Sequence, residues 1–296
     1  MRKITLFTGS GTALITPYTE NSIDFDAFAK LIEFQIANKT DALIVCGTTG
    51  EPSTMTKDEK KQVISFCIKQ TAGRVPVIAG VGTNNTAECI ENAKMAYSVG
   101  ADALLVVTPY YNKCTQKGLV EHFKAVAAAT PLPIIIYNVP SRTGVNVLPA
   151  TLLKLAEIDT VIAMKEASGN IEQITEMCLL CNDKIDMYSG DDGITLPVLS
   201  LGGKGIISVA SNIAPLEMHN LCQYYFEGNI DAARALQFKL FPLVKALFCE
   251  VNPIPVKTAA SLMGICSAAM RLPLCAMEEK NLETLKSAMK TFGINF

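Results

Sequence analysis

A lysine inside an apolar segment is the residue of this sequence that most needs a chemical explanation. Lys165 lies near the end of the run TVIAMKEAS (160–168), which has the composition of a buried strand. A buried ammonium is unfavourable unless it is paired, reaches solvent or loses its proton. The adjacent Glu166 points to the opposite face of a strand and is therefore not an obvious ion-pair partner. We expect Lys165 to have a lowered pKa and a chemical role.

A neutral lysine amine can attack a carbonyl carbon and form a Schiff base. The iminium attracts electrons, so a bound α-keto acid can lose a proton and become an enamine nucleophile. This chemistry needs groups that carry protons, and the only two histidines, His122 and His219, lie in helix-like segments. The hydroxyls of Tyr137, Tyr111 and Thr48 are the available carriers.

Composition indicates a globular protein with a large core. The chain has 296 residues, of which 49% are hydrophobic and 18% charged, and its net charge is −2. No basic run favours nucleic acid or an anionic membrane surface, and no apolar stretch approaches the roughly 20 residues of a membrane span. Gly9, Ser10 and Gly11 interrupt the apolar part of the N-terminus, so we expect a cytoplasmic protein without a signal peptide.

The ten cysteines do not have the pattern of a disulfide scaffold in a chain of this size. Cys178 and Cys181 form a lone CxxC in a helical stretch, with no second pair. We expect mostly buried thiols, without a redox role. Because there are also only two histidines, we expect no metal site, and the Schiff-base chemistry requires no dissociable cofactor.

Eight short apolar runs alternate with helix-like segments over the first three quarters of the chain. The runs do not alternate in polarity, as is typical of parallel strands covered on both faces. The pattern predicts a (β/α)8 TIM barrel over residues 1–227, with a doubly wound open sheet as the main alternative. A C-terminal helical region follows at 228–296. The predicted strands are 11–17, 41–47, 75–82, 101–109, 132–140, 160–168, 185–192 and 203–211.

One helix has clear boundary signals. Thr56 with Glu59 three residues later forms a capping-box pattern, and Gly73 is a stop signal at the other end. These signals predict a helix directly after the second strand and its turn.

In such a barrel the catalytic groups lie at the C-terminal ends of the strands. Each polar residue at these positions also has a simpler interpretation. The GTTGE segment (47–51) is a turn or a set of carboxylate donors, the tyrosines are rim packing or proton carriers, and Arg142 is a solvated charge or an anion site. The polar candidates at these ends, besides GTTGE, are Tyr110, Tyr111, Tyr137, Arg142, Lys165 and Gly190.

Six segments together resemble the dihydrodipicolinate synthase family, in order and in spacing, over essentially the whole chain. YNVP and the lysine of the sixth strand are shared with the wider pyruvate-dependent class I aldolases, whereas GTTGE with SRTG is more particular to the synthase family. The segments are GTTGE, VTPYYN, YNVPSRTG, MKEASGN, YSGDD and NPIPVKTAASLMG.

The resemblance implies a role for each catalytic candidate. Lys165 would form the imine with pyruvate, and Tyr137 would donate and accept protons above it. Thr48 would link Tyr137 to Tyr111 in a hydroxyl relay, with Tyr111 reaching in from a neighbouring subunit.

The resemblance also implies substrate-binding residues. Thr49 would hold the pyruvate carboxylate, and Arg142 would bind the carboxylate of L-aspartate 4-semialdehyde. Gly190 and Ile207 would line the pyruvate pocket.

The implied activity is condensation of pyruvate with L-aspartate 4-semialdehyde, followed by cyclisation, in lysine and diaminopimelate biosynthesis. The implied assembly is a homotetramer built as a dimer of dimers. The alternative enzyme is a pyruvate aldolase for sugar acids, of the N-acetylneuraminate lyase or keto-deoxygluconate aldolase type, and Arg142 argues against it. A non-catalytic ligand-binding barrel is disfavoured because Lys165 and Tyr137 are both present.

Several members of the family are inhibited by L-lysine at the dimer interface. Glu88 and Tyr110 match that pattern, but Lys57 and Lys60 stand where the inhibited proteins have histidines. These two residues are either solvated lysines on a polar helix face or fixed positive charges that repel the ammonium of the inhibitor. We expect that millimolar L-lysine does not inhibit this protein.

Overall fold

The structure is a computed structural model and describes residues 5–20 and 22–296. Eight parallel strands form a closed barrel in chain order, and the last strand pairs with the first. The predicted (β/α)8 barrel is confirmed. The strands are β1 (Gly9–Ala13), β2 (Ala42–Val45), β3 (Val77–Gly80), β4 (Ala103–Val107), β5 (Ile134–Asn138), β6 (Val161–Glu166), β7 (Asp186–Ser189) and β8 (Gly205–Ser208).

Seven strands lie within their predicted spans, but β1 lies earlier than predicted. It begins at Gly9 because Gly205 lets β8 approach the backbone of Gly9 closely: a Cβ on Gly205 would lie 1.9 Å from the Gly9 carbonyl oxygen. It ends at Ala13 because a backbone N–H that follows it bonds to a side chain and not to a neighbouring strand. The Ile15 N–H donates to Asn212 Oδ1 at 3.0 Å instead of continuing a strand pairing.

Helices surround the barrel and extend beyond it at the C-terminal end. Their bounds are α1 (Phe25–Ala37), α2 (Lys57–Thr71), α3 (Thr86–Ser98), α4 (Gln116–Ala127), α5 (Pro140–Thr143), α6 (Pro149–Leu155), α7 (Ile171–Cys181), α8 (Thr195–Ser200), α9 (Pro215–Phe226), α10 (Ile230–Leu247), α11 (Ile254–Leu262) and α12 (Glu279–Phe292). Within the described ranges, no helix combines the length and the apolar character that crossing a membrane would require.

The predicted capping box is confirmed at the start of α2. The Thr56 side chain accepts from the Glu59 N–H, and the Glu59 carboxylate accepts from the Thr56 N–H. The helix ends where Ala72 and Gly73 adopt left-handed conformations with φ of 50° and 71°.

Two apolar cores explain why the strands have near-continuous apolar sequences. An inner cluster fills the barrel and includes Ile135, Ala163 and Ile207, whereas an outer cluster between strands and helices includes Ile136 and Met164. Both faces of the sheet are therefore buried. On β6 the alternation after Ala163 and Met164 points Lys165 into the barrel.

The C-terminal helices α10, α11 and α12 are present as predicted. The proposed division at 227/228 stays a prediction, and hydrogen bonds cross it: Gln237 Nε2 donates to the Asp192 carbonyl oxygen at 3.1 Å. The segment between α10 and α11 returns to the mouth of the barrel, where it contacts the residues described next.

Candidate active site

Lys165 lies inside the barrel near the C-terminal ends of the strands. It pairs in register with Tyr137 on β5 and Tyr188 on β7, and it is 5% exposed. No ion pair joins it to a carboxylate in the described part of the chain. The pKa of its amine is lowered to about 8, mainly by burial. The negative charge of Asp192 opposes this shift, whereas the positive charge of Arg142 adds to it. A useful fraction of the amine is therefore neutral near pH 7.

Asp192 is a buried carboxylate directly after β7 whose charge acts on Lys165. Its oxygens accept hydrogen bonds from the Val209 N–H at 3.1 Å, the Ala210 N–H at 3.4 Å and the Ser208 hydroxyl. Burial raises the pKa of Asp192, while these donors act in the opposite direction. The carboxylate is thus bonded to groups at and after the end of β8 and influences the amine through its charge.

Tyr137 lies directly beside the amine. The Lys165 Nζ is 4.3 Å from the centroid of the Tyr137 ring. Burial raises the pKa of Tyr137, and the Arg142 cation and a side-chain hydrogen bond with Thr48 partly oppose this shift. The phenol is therefore protonated at neutral pH and can donate a proton next to the amine.

The GTTGE segment forms a tight turn at the end of β2. Thr48–Gly50 is one 3₁₀ turn, and Thr49 is 3% exposed. Cys46, just before the GTTGE segment, and Glu51, its last residue, both adopt left-handed backbone conformations, with φ of 56° and 58°. Left-handed conformations are unfavourable for such residues and are concentrated at functional sites. The turn is more specialised than a simple connection.

A cavity of about 480 Å³ lies beside these residues, although Lys165 and Thr49 are not part of its lining. Thr48, Tyr137 and Arg142 line it. Arg142 lies on the short helix α5, and its Nη2 donates to the Asn252 carbonyl oxygen at 3.1 Å. The volume is in the range of small-molecule sites, and Arg142 places a positive charge in it.

The comparisons with known proteins agree with this geometry. The model of the dihydrodipicolinate synthetase family matches residues 6–292. The chain belongs to this family.

The similarity extends over nearly the whole chain in each comparison. A 4-hydroxy-tetrahydrodipicolinate synthase of Caldicellulosiruptor bescii is 56% identical and covers 99% of both chains. A dihydrodipicolinate synthase structure from Thermotoga maritima is 44% identical, with a TM-score of 0.96, and covers 98% of this chain and 100% of that one. The chloride-inhibited enzyme of Acinetobacter baumannii, solved with pyruvate, is 42% identical, with a TM-score of 0.96 and the same coverage.

Of the residues predicted to bind pyruvate, Gly190 lies against Lys165, Ile207 lies inside the barrel and Thr49 lies in the turn after β2. A Cβ on Gly190 would lie 3.1 Å from Lys165 Cε, so a glycine leaves the room that the lysine needs. Ile207 is fully buried in the inner cluster. Thr49 Oγ1 accepts a hydrogen bond from Asn252 Nδ2 at 3.0 Å. The roles assigned to these residues stay predictions.

Tyr111 is the one predicted catalytic residue that the chain does not bring into its own site. It is 90% exposed, with φ of 71°, whereas Lys165 and Tyr137 are buried inside the barrel. Its predicted position in the site of a neighbouring subunit stays a prediction.

Only some residues of the expected L-lysine site line the cavity. Lys60, Glu88 and Tyr110 line the cavity, whereas Lys57 is exposed and lies outside its lining. The expected repulsion of L-lysine therefore depends on Lys60, and the absence of inhibition stays a prediction.

Three features of the site were not predicted. Asp192 is part of the YSGDD segment, but nothing in its type indicated that its charge acts on the Lys165 amine. Asn252 and Lys257 belong to NPIPVKTAASLMG, where Lys257 pairs with Glu51 at 2.6 Å. A lysine in an apolar segment is the same signal that identified Lys165, and it could have identified Lys257.

None of the ten cysteines forms a disulfide. Burial raises the pKa of Cys46, which lines the cavity, to about 12, so this thiol is protonated at neutral pH. In the part of the chain that the structure describes, no group of three or more His, Cys, Asp or Glu residues could hold a metal ion.

Proposed function

We propose that the protein condenses pyruvate with L-aspartate 4-semialdehyde to give 4-hydroxy-tetrahydrodipicolinate, a lyase reaction of lysine and diaminopimelate biosynthesis. The observation that carries the proposal is the buried Lys165 amine, which has no ion pair within the described ranges and a pKa lowered to about 8, beside the Tyr137 ring. The curated relatives of this chain named 4-hydroxy-tetrahydrodipicolinate synthase support the same reaction.

In the first step the neutral Lys165 amine attacks the ketone carbon of pyruvate. The carbinolamine loses water and becomes an iminium, with the Tyr137 hydroxyl supplying and receiving the protons. Loss of a methyl proton from the iminium gives an enamine. The Thr49 hydroxyl and the N–H groups of its turn hold the pyruvate carboxylate during these steps.

In the second step the enamine carbon attacks the aldehyde carbon of L-aspartate 4-semialdehyde, and the aldehyde oxygen takes a proton and becomes the 4-hydroxyl. The amino group of the bound adduct then replaces Lys165 at the iminium carbon. This closes the ring and restores the free lysine. The net reaction joins two substrates and releases one water, so the electrons balance without an added redox cofactor.

Arg142 supports the semialdehyde over a sugar as the second substrate. Its guanidinium lines the cavity, where a substrate carboxylate would find a charged donor. A sugar-acid aldolase would need hydroxyl-binding groups at this position. We expect pyruvate and L-aspartate 4-semialdehyde to be consumed in equal amounts, with a product of the expected mass. Formation of a sugar acid from pyruvate and N-acetylmannosamine or glyceraldehyde, without use of the semialdehyde, would overturn this assignment.

We also propose that the protein is a cytoplasmic homo-oligomer, a dimer of dimers, in which Tyr111 completes the relay of a neighbouring site. The exposed Tyr111 and its partly exposed neighbour Tyr110 support this assembly, because large exposed aromatic residues are typical of interfaces.

A mixture of two inactive variants tests the assembly. If Tyr111 acts across a two-fold axis, exchanging subunits of Tyr111→Phe with those of Lys165→Ala leaves one intact site in each mixed dimer. A random mixture should recover about a quarter of wild-type activity. No recovery after exchange has been verified by mass spectrometry would place Tyr111 in its own subunit's site.

A further inference from the structure

The turn that carries Thr48 and Thr49 is anchored by a segment more than 200 residues away. Glu51, directly after the turn, pairs through Oε1 with Lys257 Nζ at 2.6 Å, and their side chains are 1% and 0% exposed. Lys257 lies in the first half of α11, where every residue from Ile254 to Ala260 is buried. The end of the turn is therefore attached to a helix that is packed into the core.

The same segment contacts the turn at a second point. Asn252 Nδ2 donates to the Thr49 hydroxyl at 3.0 Å, which directs one lone pair of that oxygen towards the amide. The Asn252 carbonyl oxygen accepts from Arg142 Nη2 at 3.1 Å. One residue thus contacts the groups proposed to bind each of the two substrate carboxylates. We call residues 252–257 the C-terminal brace.

A further set of contacts fixes the surroundings of the ion pair. The Lys257 Nζ lies 4.1 Å from the centroid of the Tyr18 ring, and the Arg271 guanidinium carbon lies 4.6 Å from the same ring. Arg271 also pairs with Glu59, the residue that completes the capping box of α2. The brace is therefore connected to the barrel on both sides of the turn.

Stability alone does not account for a fully buried ion pair. Desolvation of two charges is costly, and apolar residues of similar volume often stabilise a fold as well as the pair does. Glu51 also adopts a left-handed conformation, with φ of 58°, which needs support from its surroundings. A directional bond from Lys257 supplies that support and determines where the Thr48–Thr49 hydroxyls and N–H groups point.

We infer that Lys257 and Asn252 are positioning residues for the carboxylate of pyruvate. Lys257 fixes the turn through Glu51, and Asn252 orients the Thr49 hydroxyl. Neither touches the reacting carbon. Because the positioned site is the one for pyruvate, this role rests on the proposed function.

The test compares fold stability with pyruvate binding in a variant that lacks both charges. Glu51→Leu/Lys257→Met replaces the pair by apolar side chains, and we expect its unfolding temperature to remain near that of the wild type. We expect the pyruvate concentration that half-saturates borohydride trapping on Lys165 to rise roughly 10- to 100-fold, as when a binding group is misplaced by about 1 Å. At saturating pyruvate, trapping on Lys165 should still go to completion, as measured by peptide mass.

The matched control removes an exposed pair. Lys286 and Glu283 form an ion pair on α12, with side chains 35% and 66% exposed. Glu283→Leu/Lys286→Met should leave the half-saturating pyruvate concentration at the wild-type value. A rise equal to that of the buried-pair variant would overturn the positioning role, because it would show a general effect of charge removal.

Asn252→Ala provides a second measurement if the buried-pair variant does not fold. Asn252 Oδ1 is buried without a hydrogen-bond partner among the described residues. Removing this oxygen therefore leaves no donor without its acceptor. We expect the half-saturating pyruvate concentration to rise several-fold. A value equal to that of the wild type in a folded Asn252→Ala variant would overturn the inference. Failure of wild-type protein to be trapped by pyruvate would instead overturn the proposed function.

Discussion

Two of the lysines that the structure describes are almost completely buried, yet their surroundings are opposite in one respect. Lys165 is 5% exposed and Lys257 is 0% exposed, and the two amines lie 4.3 Å and 4.1 Å from the centroid of a tyrosine ring. Lys257 has a carboxylate at 2.6 Å. Lys165 has no ion pair with a carboxylate of the described residues, because Asp192 is held by three donors of its own.

The comparison shows that burial and aromatic contact do not make a lysine reactive. Burial lowers the pKa of both amines, but for Lys257 the charge of Glu51 and the bond to it oppose the shift. The bonded carboxylate stabilises an ammonium and so removes the nucleophile. Lys165 keeps a reactive amine because burial lowers its pKa and the nearby Asp192 carboxylate is bonded to Ser208, Val209 and Ala210 and not to the amine.

Replacing Lys165 gives the largest expected effect and separates activity from stability. Lys165→Met should reduce activity by about a thousandfold or more, because a methionine side chain cannot form the imine. Its stability should be unchanged or higher below about pH 8, because the lowered pKa of Lys165 corresponds to a penalty of roughly 3 kcal/mol in the charged form. Since this pKa is depressed in the folded state, the gain should fade as pH rises from about 8 to 10.5. Steady-state rates and urea unfolding at both pH extremes measure the two effects.

The opposite outcome would contradict the difference inferred between the two lysines. A Lys165→Met protein that loses several kcal/mol of stability at pH 7 would show that Lys165, like Lys257, is held by favourable interactions.

Arg142→Ala should have the next largest effect. Loss of a charged hydrogen bond to a carboxylate costs about 1.5–3 kcal/mol, which corresponds to an increase of roughly 10- to 150-fold in the KM for L-aspartate 4-semialdehyde. The KM for pyruvate should change much less, because Thr49 and its turn remain. Kinetics with each substrate varied in turn provide the measurement. Equal increases in both KM values would mean that Arg142 mainly holds the site together through Asn252.

The pH dependence of imine formation should move in opposite directions in two variants. In the wild type the rate of trapping by pyruvate and borohydride should rise with pH and then level off, with a midpoint near the Lys165 pKa of about 8. Asp192→Asn removes a charge that raises this pKa and should move the midpoint down, whereas Arg142→Ala removes one that lowers it and should move the midpoint up. Identical midpoints in all three proteins would show that neither charge acts on the amine.

A third lysine provides the smallest expected effect. Lys60 is partly exposed in the same cavity and places an ammonium where L-lysine would bring another. Because two ammonium groups about 6 Å apart repel by roughly 2–3 kcal/mol at an effective dielectric near 20, initial rates should be unchanged at 1 mM L-lysine. Half-inhibition below that concentration would show that the cavity tolerates both charges, and Lys60→His is the matched variant.

The barrel could be predicted because its signals are local and repeated. Each strand run was apolar and bounded by turn residues, and the capping box of Thr56 and Glu59 marked a helix start. The start of β1 could not be predicted, because it depends on the close approach of Gly9 and Gly205, which are distant in sequence.

The two buried lysines show the same limit at the site. The runs VIAMKEAS and PIPVKTAAS each present one cation among apolar residues. Whether a carboxylate reaches that cation is decided by residues elsewhere in the chain, Glu51 in one case and the donors around Asp192 in the other. A single sequence does not show these contacts.

The long separation between Glu51 and Lys257 has a consequence for synthesis on the ribosome. The two residues are 206 positions apart. A nascent chain that has just released β8 already contains Lys165, Tyr137 and the Thr48–Thr49 turn, but not the helix that anchors the turn. Because contacts of such separation form late and slowly, newly made chains should pass through a stage in which the barrel is closed but binds its first substrate weakly.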